Sequence, residues 1–343
     1  LKSRPENSPK TIPTMFFEQV GKYGERTALL RKVDEEYRPL SWREVEELVL
    51  ATARGLISLG VRRGDRVAIM AYNRPEWLVA DLAIMAAGAV TVPIYHTSTT
   101  SQTDYILKQA GAEVAFVARS EKAEMLATCN SAIRHIVSLD PVGPDSPGSC
   151  GLDYPTLLEQ GRQAEPEIAE ELRGRLEGLK PDDCATIIFT SGTTGNPKGV
   201  MLSHTNLLAN AKAGLLAVQV DDTDTYLSFL PLSHSFERTA GQFLMLMAGA
   251  TIAYAGSIRT ISEDIGAIHP TIMLGVPRFF EKLHDRIMDS VHDAPRPRQA
   301  IFAWAMAVGR HRQELAEQER SPDRWTALQV RLADFLVFRR FRQ

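Results

Sequence analysis

The stretch TSGTTGNPKGV, Thr190 to Val200, packs three glycines, four hydroxyl side chains and one lysine into eleven residues directly behind the apolar run ATIIF. Glycines alone would need no more than a strand-to-helix turn that uses positive φ. The remaining residues carry chemistry. A loop of unhindered N–H groups, hydroxyl donors and an ammonium, opening onto a helix N-terminus, surrounds a polyphosphate with directional hydrogen bonds and positive potential. Phosphate binding is therefore the stronger reading, with Thr190, Ser191, Gly192, Thr193, Thr194, Gly195 and Lys198 as its residues. The spacing is not that of the G-x-x-x-x-G-K-[ST] loop. Counting from Gly192, Lys198 falls in place, but Pro197, without an N–H, stands for the second glycine and Gly199, without a side-chain ligand, for the metal-binding hydroxyl.

A second candidate is His234 in LPLSHSFERTAG, which follows an apolar run and a short loop, a place where side chains face a cleft at a strand's carboxyl end. Taken alone, a histidine satisfied inside the core is the simpler account. Glu237 and Arg238 read as a structural ion pair, and Arg278 and Glu281, at the start of a helix, read as structural too. The terminal LVFRRFRQ joins apolar residues to Arg339, Arg340 and Arg342. Peripheral contact with anionic lipid is one reading of that segment; a helix packing one face is the simpler one.

These residues need a scaffold, and the chain supplies its pattern. SWREVEELVLATARGLISLG, Ser41 to Gly60, has apolar residues at helical spacing and a capping box between Ser41 and Glu44. GDRVAIMAYN then reads as a turn and a buried strand, PEWLVADLAIMAAG as a helix closed by glycine, and AVTVPIY as the next strand; TSQTDYILKQAGAEVAFVA repeats the cycle. Such alternation predicts a parallel, doubly wound sheet, hence the α/β class. Asp140 to Gly151 reads as a surface loop, and Glu159 to Asp183 as a short helix. DTYLSFLPL, GATIAYAG and PTIMLGVP predict strands of a second α/β layer beginning near Asp221. From Pro277 the sequence turns helical, broken by Pro295, Pro297 and Pro322, with Ile301, Trp304, Ala305 and Val308 on one face and Trp325, Leu328, Leu332 and Phe335 on another.

Composition bounds the possibilities. A chain of 343 residues has room for roughly two domains. Its 44% hydrophobic content fills cores, and a formal charge of −3 gives no global attraction to nucleic acid. Cys129, Cys150 and Cys184 have neither disulfide-framework nor zinc spacing, which makes a cytoplasmic setting the simplest expectation. Phe243 to Gly256, the longest nearly apolar stretch, falls short of the about 20 residues that a membrane helix needs. The N-terminus has no apolar signal region.

With these residues in view, TSGTTGNPKG resembles the phosphate-binding signature of the adenylate-forming (AMP-binding) superfamily. LSWREVEELVLATARGLISLGVRRGDRVAIMAYNRPEWLVADLA, AAGAVTVPIYHTSTTSQTDYIL, LPLSHSFERTAG and GVPRFFEKLHDRI agree in order, and the last two, with the helical tail, are similar to the long-chain fatty acyl-CoA synthetase branch. The resemblance implies a large domain of two doubly wound, mostly parallel sheet subdomains. One would span 50–215 and end in the phosphate loop; the other would combine 14–49 with 222–343. It implies ATP, with Lys198 as the point charge on the β- and γ-phosphates and Thr190 near Mg2+, and a fatty acid and coenzyme A as co-substrates. His234 would sit beside the acyl carboxylate and adenylate, and Phe236 would wall the acyl channel. Some relatives carry a gating tryptophan where Arg238 stands. Family motifs expected downstream, YGxTE, TGD and a lid-domain lysine, are not found in this sequence, so it reads as an N-terminal portion unable to complete adenylation by itself. Transfer to a carrier protein in place of CoA, and a non-catalytic nucleotide-binding protein, stay open as alternatives.

Overall fold

The computed structural model describes residues 10–129, 132–141, 152–190, 196–257, 259–318 and 320–339. In chain order it runs α1 (Ile12–Tyr23), β1 (Thr27–Val33), β2 (Glu36–Ser41), α2 (Trp42–Ser58), β3 (Arg66–Met70), α3 (Pro75–Ala86), β4 (Val90–Pro93), α4 (Thr100–Ala110), β5 (Ala112–Val117), α5 (Ser120–Ala127), β6 (His135–Ser138) and β7 (Leu152–Asp153). It continues through α6 (Tyr154–Arg162), α7 (Pro166–Glu177), β8 (Cys184–Thr190), β9 (Lys198–Ser203), α8 (His204–Ala217) and β10 (Thr225–Ser228) to a π-helical segment, Glu237–Phe243. After it come α9 (Leu244–Ala248), β11 (Thr251–Tyr254), α10 (Ile261–Ile268), β12 (Ile272–Met273) and the helices α11 (Pro277–His292), α12 (Arg296–Glu317) and α13 (Arg324–Ala333). Two compact units result, Leu1–Leu274 and Gly275–Gln343.

The first unit holds both sheets. Seven strands lie in the order β7-β6-β5-β3-β4-β8-β9 and five in the order β12-β10-β11-β1-β2. Pairing is parallel except for β9 against β8 and β2 against β1. This is the α/β architecture expected from the alternation of strand and helix periods, with β1 and β2 joining the strands that follow Asp221. α2 starts where its capping box sits: Ser41 Oγ accepts from the Glu44 N–H at 3.2 Å and Glu44 Oε2 accepts from the Ser41 N–H at 2.6 Å. Such a cap contributes about 1 kcal/mol. α3 is buried on every side, because it packs against β1 of one sheet and β3 and β4 of the other.

Two expectations are corrected here. The phosphate-loop segment does not open onto a helix: it joins β8 to β9 as an antiparallel hairpin, and the helix begins only at His204, capped by Ser203. The charged stretch 159–183 completes α6 and contains the whole of α7 rather than one short helix, with Pro166 in the first turn of α7. In the helical unit, Ala305 and Val308 of α12 meet Ala333, the last residue of α13, and Val337 in the π-helical turn Asp334–Phe338 that follows it. That contact uses small residues, so Trp325 and Phe335, each 65% exposed, point outward with Leu328 and Leu332. The loop read at Asp140 to Gly151 lies outside the described residues beyond Pro141. Among the described residues no helix is long and apolar enough to cross a membrane.

Candidate functional site

Thr190 and the loop of His234 follow the carboxyl ends of the parallel strands β8 and β10, and Lys198 stands beside Thr190 at the start of the antiparallel β9. Thr190 is the last residue of β8 and Lys198 the first of β9, and the two are partners across the hairpin. Both are exposed. Behind them the strand is anchored, since Ala185, Thr186 and Ile188 are buried. Gly199 lets the hairpin close: a Cβ there would stand 2.9 Å from Ile187 Cγ2 and 3.2 Å from Phe189 Cζ. Ser191, Gly192, Thr193, Thr194 and Gly195 lie outside the described residues.

His234 follows β10 in an exposed loop and does not sit in the core. Its N–H donates to Pro231 O at 2.9 Å, and its Nδ1 accepts from the Phe236 N–H at 3.2 Å. An accepting Nδ1 puts the proton of the neutral imidazole on Nε2, so the ring offers a donor outward. That is the group needed beside a carboxylate oxygen. Phe236 is 44% exposed next to it. Arg278 and Glu281 lie in α11 of the helical unit, both exposed.

Residues that the sequence reading passed over bring the two sheet edges together. Asn73, just after β3, donates through Nδ2 to Ser228 Oγ at 3.0 Å and to Leu230 O at 2.6 Å, and its Oδ1 accepts from the Leu232 N–H at 3.2 Å. One amide thus pins the segment that leads into His234. Its signal in the sequence was faint: a polar residue between a buried strand and a proline-started helix, in YNRPEW.

Glu237 and Arg238 do not pair with each other. Glu237 Oε1 accepts from Tyr226 Oη at 2.8 Å and Ser228 Oγ at 2.6 Å, toward the five-stranded sheet. Arg238 turns the other way, with Nε donating to Asp81 Oδ2 at 2.8 Å, Nη2 to Asp81 Oδ1, and Nη1 to Thr186 Oγ1 at 2.6 Å. Consecutive residues on a helical turn diverge too far to share a partner. The guanidinium also lies over Trp77 and Phe243, 5.6 and 5.4 Å from the ring centroids, and the side chain is 1% exposed. It is an interior strut and cannot swing as a gate. Burial pushes the Glu237 carboxyl up to about 7 although the Ser228 and Tyr226 hydroxyls favour its charged form.

An AMP-binding enzyme family model matches residues 16–328. The chain belongs to that family. As an AMP-binding enzyme it is similar to the long-chain-fatty-acid–CoA ligase FadD15 of Mycobacterium bovis, 34% identical over 86% of this chain and 48% of the relative. It is also similar to the long-chain-fatty-acid–CoA ligase ACSBG2 of Rattus norvegicus, 33% identical over 88% of this chain and 46% of the relative. The chain therefore spans about half the length of the curated relatives it matches. Its fold is that of a putative long-chain-fatty-acid CoA ligase from Rhodopseudomonas palustris, with a TM-score of 0.65 at 22% identity over 80% of this chain and 65% of the other. The inhibitor-bound N-terminal domain of FACL13 from Mycobacterium tuberculosis gives 0.63 at 23% identity over 79% and 64%.

Proposed function

We propose that this AMP-binding enzyme chain carries the nucleotide-phosphate and acyl-carboxylate half of a long-chain fatty acid:CoA ligase. The observation that carries the reading is the pair of strand-end donors, the Thr190–Lys198 hairpin mouth and the outward Nε2–H of His234, within a chain 34% identical to a long-chain-fatty-acid–CoA ligase. In the first half-reaction a carboxylate oxygen attacks the α-phosphorus of ATP and pyrophosphate leaves. Lys198 and the hydroxyls and N–H groups of its loop stabilise the charge that grows on the leaving pyrophosphate. His234 Nε2–H orients the attacking carboxylate and afterwards the acyl adenylate, while Phe236 walls the chain beside it. In the second half-reaction the sulfur of coenzyme A bonds to the acyl carbon and AMP departs with the bonding electrons.

Among the described residues no group of three or more His, Cys, Asp or Glu side chains is gathered for a metal. The Thr190 hydroxyl, exposed at the end of β8, would be this chain's contribution to an Mg2+ carried mainly by nucleotide oxygens and water. Bound there, the ion would supply charge neutralisation between phosphates.

Calorimetric titration with ATP and magnesium tests the reading. Binding by the parent chain that is lost in Lys198→Ala supports it. A parent that takes up no ATP, or a variant that binds as well as the parent, rules it out.

A further inference from the structure

We propose that Glu237 and Arg238 are positioning residues for His234, a two-way brace that ties the His234 loop at once to the five-stranded sheet and to the strand that carries the phosphate hairpin. The inference rests on the reading of His234 given above. Among the described residues the hydrogen bonds of His234 are all local, to Pro231 O, the Phe236 N–H and the Arg238 N–H. A loop anchored that way needs an external reference if its imidazole is to stay fixed against a nucleotide held elsewhere.

The π-helical segment supplies two references. The Arg238 N–H donates to His234 O at 3.1 Å, so the loop's backbone is joined directly to the strut. From Arg238 the path runs to Thr186 on β8, four positions before Thr190, and Thr186 Oγ1 in turn donates to Thr91 O on β4 at 2.7 Å. Thr91 Oγ1 donates back to Asp81 Oδ1 at 2.8 Å, and Gln242 Nε2, from the same π-helical segment, reaches Asp81 Oδ2 at 3.2 Å. From Glu237 the path runs through Ser228 to Asn73, whose amide grips the loop again at Leu230 and Leu232. Packing leaves no slack: a Cβ on Gly241 would stand 2.6 Å from Tyr226 Oη and 2.8 Å from Glu237 Cδ. Asp81, Thr186 and Glu237 each hold more than one hydrogen bond in this network, and such multiply tied buried groups fix one geometry.

The test is read on the ligand-free chain by NMR, following the His234 imidazole signal, assigned by its loss in His234→Gln, and the Phe236 amide. Thr186→Val removes the hydroxyl that receives Arg238 without changing side-chain shape; it touches neither reporter. The brace predicts that both reporters shift in Thr186→Val and return in Thr186→Ser, which keeps the hydroxyl. Should Thr186→Val not fold, Glu237→Ala with rescue by Glu237→Gln is read on the His234 imidazole alone, since Phe236 adjoins the substitution. Reporters that stay put in a folded variant, or that move equally in the valine and serine variants, overturn the proposal. Adding ATP, magnesium and a fatty acid to the parent separates the two readings. Signals that ignore these ligands remove the functional assignment and leave the ligand-free result standing.

Discussion

Thr190 and Lys198 face each other as the last cross-strand pair of the β8–β9 hairpin, so the ammonium stands at the rim of the loop that the two strands present. Lys198 is exposed and makes no hydrogen bond or salt bridge among the described contacts within the chain. Its replacement by alanine is expected to leave thermal stability within about 0.5 kcal/mol. ATP affinity is expected to fall by about 1.5–3 kcal/mol, the weight of a charged hydrogen bond, or roughly 10- to 150-fold. Thermal melts and ATP titration of the same variant check both halves, and an equal loss in each would mean that Lys198 is structural.

The Asp81–Arg238 pair is buried at both ends, at 0% and 1% side-chain exposure. Removing one partner strands the other charge, which costs about 3–5 kcal/mol. Asp81→Asn and Arg238→Met should each destabilise by that order. The double variant should lose clearly less than their sum, because no lone charge remains. Urea unfolding of the four proteins measures the coupling. Additive losses would show that the network stabilises through packing alone.

Much of this architecture can be read along the chain where local period decides it. Arg66 to Val117 alternates buried strands with helices, and each element's pattern is set by its own residues. The Ser41–Glu44 capping box is legible for the same reason, since both partners lie in one turn. β9 is different: Lys198, Gly199, Val200 and Met201 are all exposed, so period-two burial is missing, and only hydrogen bonds to β8 make the segment a strand. The brace was hidden by distance. Arg238 finds Asp81 157 positions away, and nothing in ER as a dipeptide distinguishes a pair from two partners on opposite sides. On α13 the helical period was plain, but which stripe is buried depends on the small residues of α12, a tertiary fact.

His204, the first residue of α8, is buried, and its Nδ1 accepts from the Ile12 N–H at 3.3 Å, tying the start of α1 to the end of β9. Burial pushes its pKa down from 6.5 to about 4, against the pull of Asp183 and aided by Arg238. The unfolded chain takes up this proton first. The contribution is therefore present above pH 6.5 and lost as pH falls through 4. His204→Gln should flatten the decline of stability between these limits while costing about 1 kcal/mol at neutral pH for a poorer acceptor. Urea midpoints at pH 7 and pH 5 check it: parallel declines in parent and variant would sink the assignment.

Glu237 gives the opposite sign. Its carboxyl is raised from 4.5 to about 7 by burial, with the Tyr254 phenol close enough to feel its charge and Tyr226 and Ser228 donating to it. Between those two values the folded chain holds a proton that the unfolded chain has released, so stability from this group is full below pH 4.5 and declines as pH rises through 7. Glu237→Gln keeps an oxygen for both hydroxyls and never charges. Relative to the parent it is expected to gain stability from about pH 5 to pH 7 and to level off above that, whereas His204→Gln gains, relative to the parent, on going the other way. Measuring both variants across one pH series separates the two groups, since no global effect of net charge can give slopes of opposite sign. If Glu237→Gln tracks the parent at every pH, the carboxyl is ionised throughout and its two hydroxyl donors outweigh its burial.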